Sequence, residues 1–418
     1  MALPRVMRLR QHFAAPRVDD IAGTIRTQMA RLHLGSKVKP GQTVAVSVGS
    51  RGIAHIALII RSVVDELKGL GLRPFLVPAM GSHGGGIAAR QQEIIESYGV
   101  TEAYVGAPIR ATMETVLVGQ TEDGVPVHFD RFAAEADHVV VVGRVKPHTD
   151  FVGDIESGLH KMMLIGLGKH QGAVIYHKAI VNFSFDRIIR SVAQAVIERC
   201  RVLMGLAIVE NPYDETALLE AVAPEHFAER ERELLRLARQ WLPRLPFDDI
   251  DLLVIDEIGK EISGSGLDTN VVGRKHYDHV AAPGETPRVT RIYVRGLSAA
   301  THGNATGIGA AEFTHRRVVE QTDLPVTYIN CLTGNHPSMA AIPLYYDTDR
   351  ACLEAALGTV GLVAPEAARV VRIHNTLHLT EVLASEAYVE ALAQRPDLEM
   401  TSPPAEMAFD DHGDLLPF

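Results

Sequence analysis

Five side chains in the first half of the chain could do chemistry together. His83 sits in PAMGSHGGG (78–86), in a run of four glycines that follows an apolar stretch. Glycines let a backbone approach a ligand closely, and N–H groups between a strand end and a helix start can face an anion. The imidazole adds proton transfer or metal binding. His148, in VKPHTD, follows a proline that stiffens its loop. Lys161 and His177 stand sixteen residues apart, with the apolar run MMLIGLG between them. A lysine in apolar surroundings can form covalent adducts, and a neutral imidazole is a common ligand for zinc, copper, iron or nickel. Arg51, in GSRGI, carries a guanidinium fork suited to a carboxylate or phosphate.

Each of these residues also has a plainer reading. Arg51 could be a surface arginine at a turn, and His148 a loop histidine without consequence. His83 could decorate a solvated glycine turn. His160, Lys169 and His170 compete with Lys161 and His177 for any role in that segment. Neither GxGxxG nor GxxxxGK[ST] is present, which removes the standard nucleotide fingerprints. No HExxH or Cys/His zinc spacing occurs, so a structural zinc is not expected.

The elements that must position these groups alternate. TVAVSVG (43–49) reads as a buried strand, and 56–67 carries the apolar stripe of a helix. RPFLVPAM is a second strand and IAARQQEIIESYG a second helix ending at glycine. TVLVGQ and VPVHFD flank a turn with Asp-Gly, which predicts a hairpin. Segments 136–145 and 200–211 are further buried strands, with an irregular Gly- and His-rich stretch, 146–178, between them. Residues 225–242 form a charged amphipathic helix, and two prolines in PRLPFDD then break the pattern. We place a domain boundary near 245, giving a domain of residues 1–245 and a smaller one of 246–418, whose last helix could pack back on the first. Strands are expected in the second domain at IDLLVIDEIG, RVTRIYVRGL, PVTYINCL and RVVRIHN. The fold class is therefore α/β, two domains with mostly parallel sheets, and the active site is expected in the cleft between them. GSRGI, PAMGSHGGG and GRVKPHTD each follow a strand, where ligands gather in such sheets.

Composition narrows the partner. With 51 acidic against 41 basic residues in 418, the net charge of −10 offers no basic surface for nucleic acid. Apolar runs fall far short of the roughly 20 residues a membrane span needs. The arginine-rich start MALPRVMRLRQHFAAPR lacks a secretory apolar region and reads as an ordinary first segment, so a cytoplasmic protein is expected. Cys200, Cys331 and Cys352 are widely separated and read as small buried hydrophobes in a reducing compartment. A small molecule is the expected partner, and a homo-oligomer is compatible with this.

In the order GSRGI, GSHGG, KPH, SGLHK and YH, the chain resembles the nickel-dependent lactate racemases, which hold a nickel-pincer nucleotide. The resemblance covers roughly residues 40–180; beyond it the second domain is similar only in general architecture. It implies that Lys161, in Ser157-Gly158-Leu159-His160-Lys161, bonds to the cofactor and that His177 ligates nickel. It places the acid–base pair on His83 and His148, the substrate grip on Arg51, and further cofactor contacts on Ser50, Gly81, Ser82 and Gly158. The implied cofactor is the pyridinium-3,5-bisthiocarboxylic acid mononucleotide of nickel, which makes cofactor-building enzymes partners of the protein. The implied activity is racemisation or epimerisation of a 2-hydroxy acid: one histidine removes the hydroxyl proton while the α-hydrogen leaves as hydride, and hydride then returns to the opposite face.

The chain departs from that family at several points. Val48 stands where the family has an acid, three residues before the arginine, and three extra residues separate His148 from Lys161. Leu159 and His160 follow a single glycine where the family has a pair. In the second domain, Arg274 and Lys275 of GSGLDTNVVGRKH are candidate substrate residues, with a solvated basic cluster as their plainer reading. Two other functions fit the same residues: a metal-dependent hydrolase or lyase using the three histidines, and a ligand-binding homologue without catalysis.

Overall fold

The computed structural model describes residues 2–49 and 52–418, so Ser50 and Arg51 lie outside the described residues. The chain folds as two compact units, one of Met1–Phe13 with Pro243–Phe418 and one of Ala14–Leu242. Fifteen strands occur among the described residues: β1 (Val6–Gln11), β2 (Thr43–Val48), β3 (Arg73–Pro78), β4 (Thr115–Gln120), β5 (Pro126–Asp130), β6 (His138–Arg144), β7 (Val202–Glu210), β8 (Thr216–Val222), β9 (Asp249–Ile255), β10 (Arg288–Val294), β11 (Phe313–His315), β12 (Leu344–Tyr346), β13 (Val370–Ile373), β14 (Glu381–Ser385) and β15 (Leu398–Met400).

In the unit Ala14–Leu242, five strands lie in the order β3-β2-β6-β7-β8. The first four are parallel and β8 runs antiparallel to β7. Their sequences are continuous apolar runs because both faces are covered. Val44, Val46, Leu76, Val140 and Val142 turn to one core, shared with helices Ile21–Arg31 and Ile56–Gly69. Ala45, Phe75, Val77, Val139 and Val141 turn to the other, shared with helices Phe185–Arg199 and Phe227–Gln240. Strands β4 and β5 form a separate hairpin.

The stretch 146–178, read from sequence as irregular, becomes helical from Gly158. A short helix, Gly158–Lys161, runs into a π-helical turn at Met162–Gly166 and then into helix Lys169–Phe183. Glycine and histidine richness signalled a loop, yet the apolar run between them packs Met163, Leu164 and Leu167 into the core.

The other unit holds an eight-stranded sheet, β12-β11-β10-β9-β13-β14-β1-β15. Strands β12 to β13 in that order are parallel and the remaining three pairings antiparallel. The first strand of the chain thus sits in the sheet of this unit, with Met7 and Leu9 buried and Arg8 and Arg10 on the opposite side of the pleat. PVTYINCL, expected as a strand, lies in a helix, Leu324–Thr333. Asp323 accepts a hydrogen bond from the Val326 N–H at 3.0 Å and Pro325 occupies the first turn. These are helix-start signals that outweigh the β-branched content. No described helix is long and apolar enough to cross a membrane, and all three cysteines are buried and unbridged.

Candidate active site

Strands β3, β2 and β6 are adjacent and parallel, so the loops that follow them emerge side by side at one sheet edge. That edge is where parallel sheets bind ligands. The loop after β2 carries the undescribed Ser50 and Arg51. Its far side is held where Arg144, at the end of β6, pairs with Glu210 of β7 and donates to the Gly52 carbonyl at 3.2 Å. Glu210 also accepts the Ala54 N–H at 2.9 Å. Val48 is fully buried in the core on the helix Ile56–Gly69 side of the sheet.

The loop after β3 is the glycine loop. Gly81, Gly84, Gly85 and Gly86 all take left-handed φ, between +60° and +66°. A Cβ on Gly81 would stand 2.8 Å from Ile165 Cγ2, so only glycine lets the loop lie this close to the π-helical turn. Gln91, fully buried on the following helix, donates through Nε2 to the carbonyls of Gly81 at 2.9 Å and His83 at 3.0 Å. The His83 side chain is exposed, and Ser82 is partly so.

The loop after β6 is held by charge. Glu156, 1% exposed, accepts the His148 N–H at 2.8 Å and the Gly153 N–H at 3.1 Å, and pairs with Arg239 at 2.8 Å. Ser157 bridges the loop ends, its hydroxyl accepting from Lys146 N–H at 2.7 Å and donating to Lys146 C=O at 2.6 Å. Within this frame His148 Nδ1 accepts two peptide N–H groups, from Asp150 at 3.0 Å and Phe151 at 3.1 Å. The loop therefore selects the neutral tautomer with its proton on Nε2.

Lys161 closes the short helix that comes next. Gly158 has φ +71°, and a Cβ there would lie 1.9 Å from Glu231 Oε1. That glutamate, buried on helix Phe227–Gln240, accepts the N–H groups of Leu159 and His160 and pairs with the His160 ring. It supplies the helix start with the acceptor that its own sequence lacks. His160 is thereby a structural residue. Lys169 is structural too: completely buried, it sits 2.8 Å from Asp130 Oδ2 and donates to the Pro78 carbonyl at the end of β3.

His177 lies two turns into helix Lys169–Phe183, which Tyr176 anchors by accepting the His128 N–H at 3.0 Å. Burial pushes the Tyr176 phenol up to about 12. Burial holds the His177 imidazolium below its usual range, the nearby Lys161 ammonium lowers it further, and Asp150 partly opposes them. Its ring lies 6.0 Å from that of Phe151, which stacks on His148 at 4.5 Å. The structure thus gathers His148 and His177 around Phe151, with Lys161 near His177 and the glycine loop resting on the turn that follows Lys161.

The sequence reading did not identify Glu156, Glu231, Asp130 or Gln91 as supports of these groups. Arg274, read either as a substrate residue or as part of a solvated basic cluster, is 1% exposed and bonds Val289 C=O at 2.9 Å and Glu312 at 3.3 Å. Lys275 is partly buried, its N–H donating to Glu285 at 2.8 Å. Among the described residues, His315, Asp349 and Asp414 form a group close enough to hold an ion, in the unit with the larger sheet. Asp349 is already engaged by Arg295, Tyr293 and the Leu415 N–H.

Residues 9–186 match the model of the lactate racemase N-terminal domain. Among solved structures, the lactate racemase apoprotein from Thermoanaerobacterium thermosaccharolyticum aligns with a TM-score of 0.52 at 12% identity, covering 88% of this chain and 94% of that one. A Thermotoga maritima protein solved as a structural genomics target aligns over 68% of this chain and 71% of its own, at 15% identity and a TM-score of 0.49. No curated protein matches.

Proposed function

We propose that the chain, whose residues 9–186 match the model of the lactate racemase N-terminal domain, has a racemase-family role and racemises or epimerises a 2-hydroxy acid. The observation that carries this reading is the grouping of His148, His177 and Lys161 beside the glycine loop of His83. Under it, Lys161 and His177 hold a nickel-pincer nucleotide. The donor set suits that group: a neutral imidazole has a free lone pair for a soft divalent metal, and an amine stands near it for covalent attachment. When bound, this cofactor supplies a reversible hydride acceptor for the α-carbon.

The protein's own work is proton movement and exclusion of water. His83 removes or returns the hydroxyl proton on one face. His148, in the tautomer its loop selects, presents Nε2–H to the substrate oxygen. For His148 to take a proton at Nε2, the ring must carry its other hydrogen on Nδ1, which requires the Asp150 and Phe151 N–H groups to turn away. Closing over substrate is the event that would supply that change. Arg51 is the proposed grip for the substrate carboxylate.

The test uses protein produced together with the cofactor-building enzymes. Intact mass should show an adduct that Lys161→Ala abolishes, and metal analysis should show nickel that His177→Ala loses. Chiral chromatography over a panel of 2-hydroxy acids should show interconversion, which His83→Ala abolishes while nickel stays bound. Unmodified, nickel-free protein would sink the proposal, as would solvent deuterium entering the α-carbon during turnover.

A further inference from the structure

Helix Leu324–Thr333 is built inside out. Its inward positions are small and partly polar, Thr327 and Cys331, whereas Leu324, Val326, Tyr328, Ile329 and Leu332 are exposed. A surface helix normally shows the reverse. The linker doubles back along the helix, His336 N–H donating to Cys331 C=O at 2.9 Å, and leads to β12. There Ile342, Leu344, Tyr345 and Tyr346 are exposed as well. From 324 to 346 the sequence contains no Asp, Glu, Lys or Arg.

We infer that this face is the interface of a homodimer, with β12 pairing antiparallel to β12 of a second copy across a twofold axis. Three observations favour a second copy over another partner. First, β12 is the outermost strand of its sheet, paired only with β11 on its inner side. Leu344 donates inward to Glu312 C=O at 3.2 Å, so by strand alternation Tyr345 turns its N–H and C=O to the open edge. Two such strands placed antiparallel about Tyr345 satisfy both groups of each copy, a self-complementary arrangement of the kind a twofold interface requires. Second, the strand itself, Leu344–Tyr346, contains none of the charged residues that usually guard an edge; the nearest charges, Arg316 over the Tyr345 ring and its partner Asp347, flank it. Third, nine large apolar side chains, at exposures such as 64% for Ile329 and 67% for Leu332, are open to a partner, a surface on the order of the ~800 Å² per partner of a standard specific interface.

The inference is independent of the chemistry proposed above. Light scattering coupled to size exclusion, on the full chain at micromolar concentration, should give twice the chain mass. The double variant Ile329→Asp with Leu344→Lys should weaken dimerisation at least 100-fold while circular dichroism and melting of the monomer stay native-like, because both side chains point to solvent. Val181→Asp, at an exposed apolar residue of the other unit, should leave the dimer intact. With Tyr345 facing its own copy, Leu344 of one copy faces Tyr346 of the other as a non-hydrogen-bonded pair, the closer kind, so the double variant Leu344→Cys with Tyr346→Cys should oxidise to a covalent dimer. A monomeric wild type would overturn the inference, as would a dimer that Ile329→Asp with Leu344→Lys leaves unchanged or a Leu344→Cys/Tyr346→Cys protein that does not cross-link.

Discussion

The two loops that bring histidines to the sheet edge are built on opposite principles. The glycine loop of His83 rests on four left-handed glycines and one neutral amide, that of Gln91. The segment from His148 to Lys161 rests on buried carboxylates, Glu156 and Glu231, each accepting several N–H groups. A third support, the buried Lys169–Asp130 pair, holds the end of β3 through the Pro78 carbonyl. A charged anchor in a dry interior tolerates no partial disruption, because an unpaired ion is left behind; a neutral anchor can be exchanged at modest cost. The difference assigns rigidity to the segment carrying His148 and Lys161 and adaptability to the loop carrying His83.

The comparison can be broken most forcefully at the ion pair. Asp130→Ala strands the Lys169 ammonium and removes the cap that accepts the Ala133 N–H at 2.8 Å. Urea unfolding should give a loss of about 3–5 kcal/mol, typical of breaking a buried pair. A loss below ~1 kcal/mol would mean that the pair is solvated and the contrast between the loops is unsound. Next comes Glu231→Gln, which keeps shape but replaces the charge facing Leu159, His160 and the His160 ring. We expect about 2–3 kcal/mol, the scale of charge-assisted hydrogen bonds, together with loss of the Lys161 adduct in mass spectra of protein made with the cofactor-building enzymes. Gly158→Ala should mimic it, through the left-handed φ and the clash with Glu231. In Glu231→Ala, where that clash is relieved, adding Gly158→Ala should cost less than it does alone.

This asymmetry also explains what was legible in the sequence. His83, His148, Lys161 and His177 stand out as candidates from residue type and local spacing, because their chemistry is unusual for their surroundings. Their supports are not. Glu231 is one of several glutamates on a charged helix and meets its partners 72 and 71 residues away. Asp130 ends a hairpin strand and looks like an ordinary helix cap. Only the three-dimensional fold selects these carboxylates from their neighbours. At the level of elements, β2, β3, β6 and β7 follow from apolar β-branched runs, since burial on both faces leaves that imprint. Periodicity alone could not distinguish the short apolar stretch 325–332 from a strand; Asp323 and Pro325 held the answer. Strand β1 is written in the alternation of Met7 and Leu9 with Arg8 and Arg10, but its partners lie almost a chain length away, Met7 facing Ala384.

The smallest stability effect, and the sharpest test of the contrast, belongs to Gln91. Gln91→Ala removes two hydrogen bonds to carbonyls but leaves no stranded charge, so unfolding should lose only about 1–2 kcal/mol. The glycine loop would then lack its tie at Gly81 and His83, and left-handed glycines have wide conformational freedom. Under the proposed function, turnover of the cofactor-loaded protein should therefore fall at least tenfold while nickel content is unchanged, since Gln91 ties the carbonyls of Gly81 and His83 and not the residues proposed to hold the metal. Gln91→Glu should be worse on both counts, because a carboxylate facing two carbonyl oxygens is repelled. If Gln91→Ala instead released nickel, or cost as much stability as Asp130→Ala, the two loops would be one rigid unit and His83 would have no separate freedom to move.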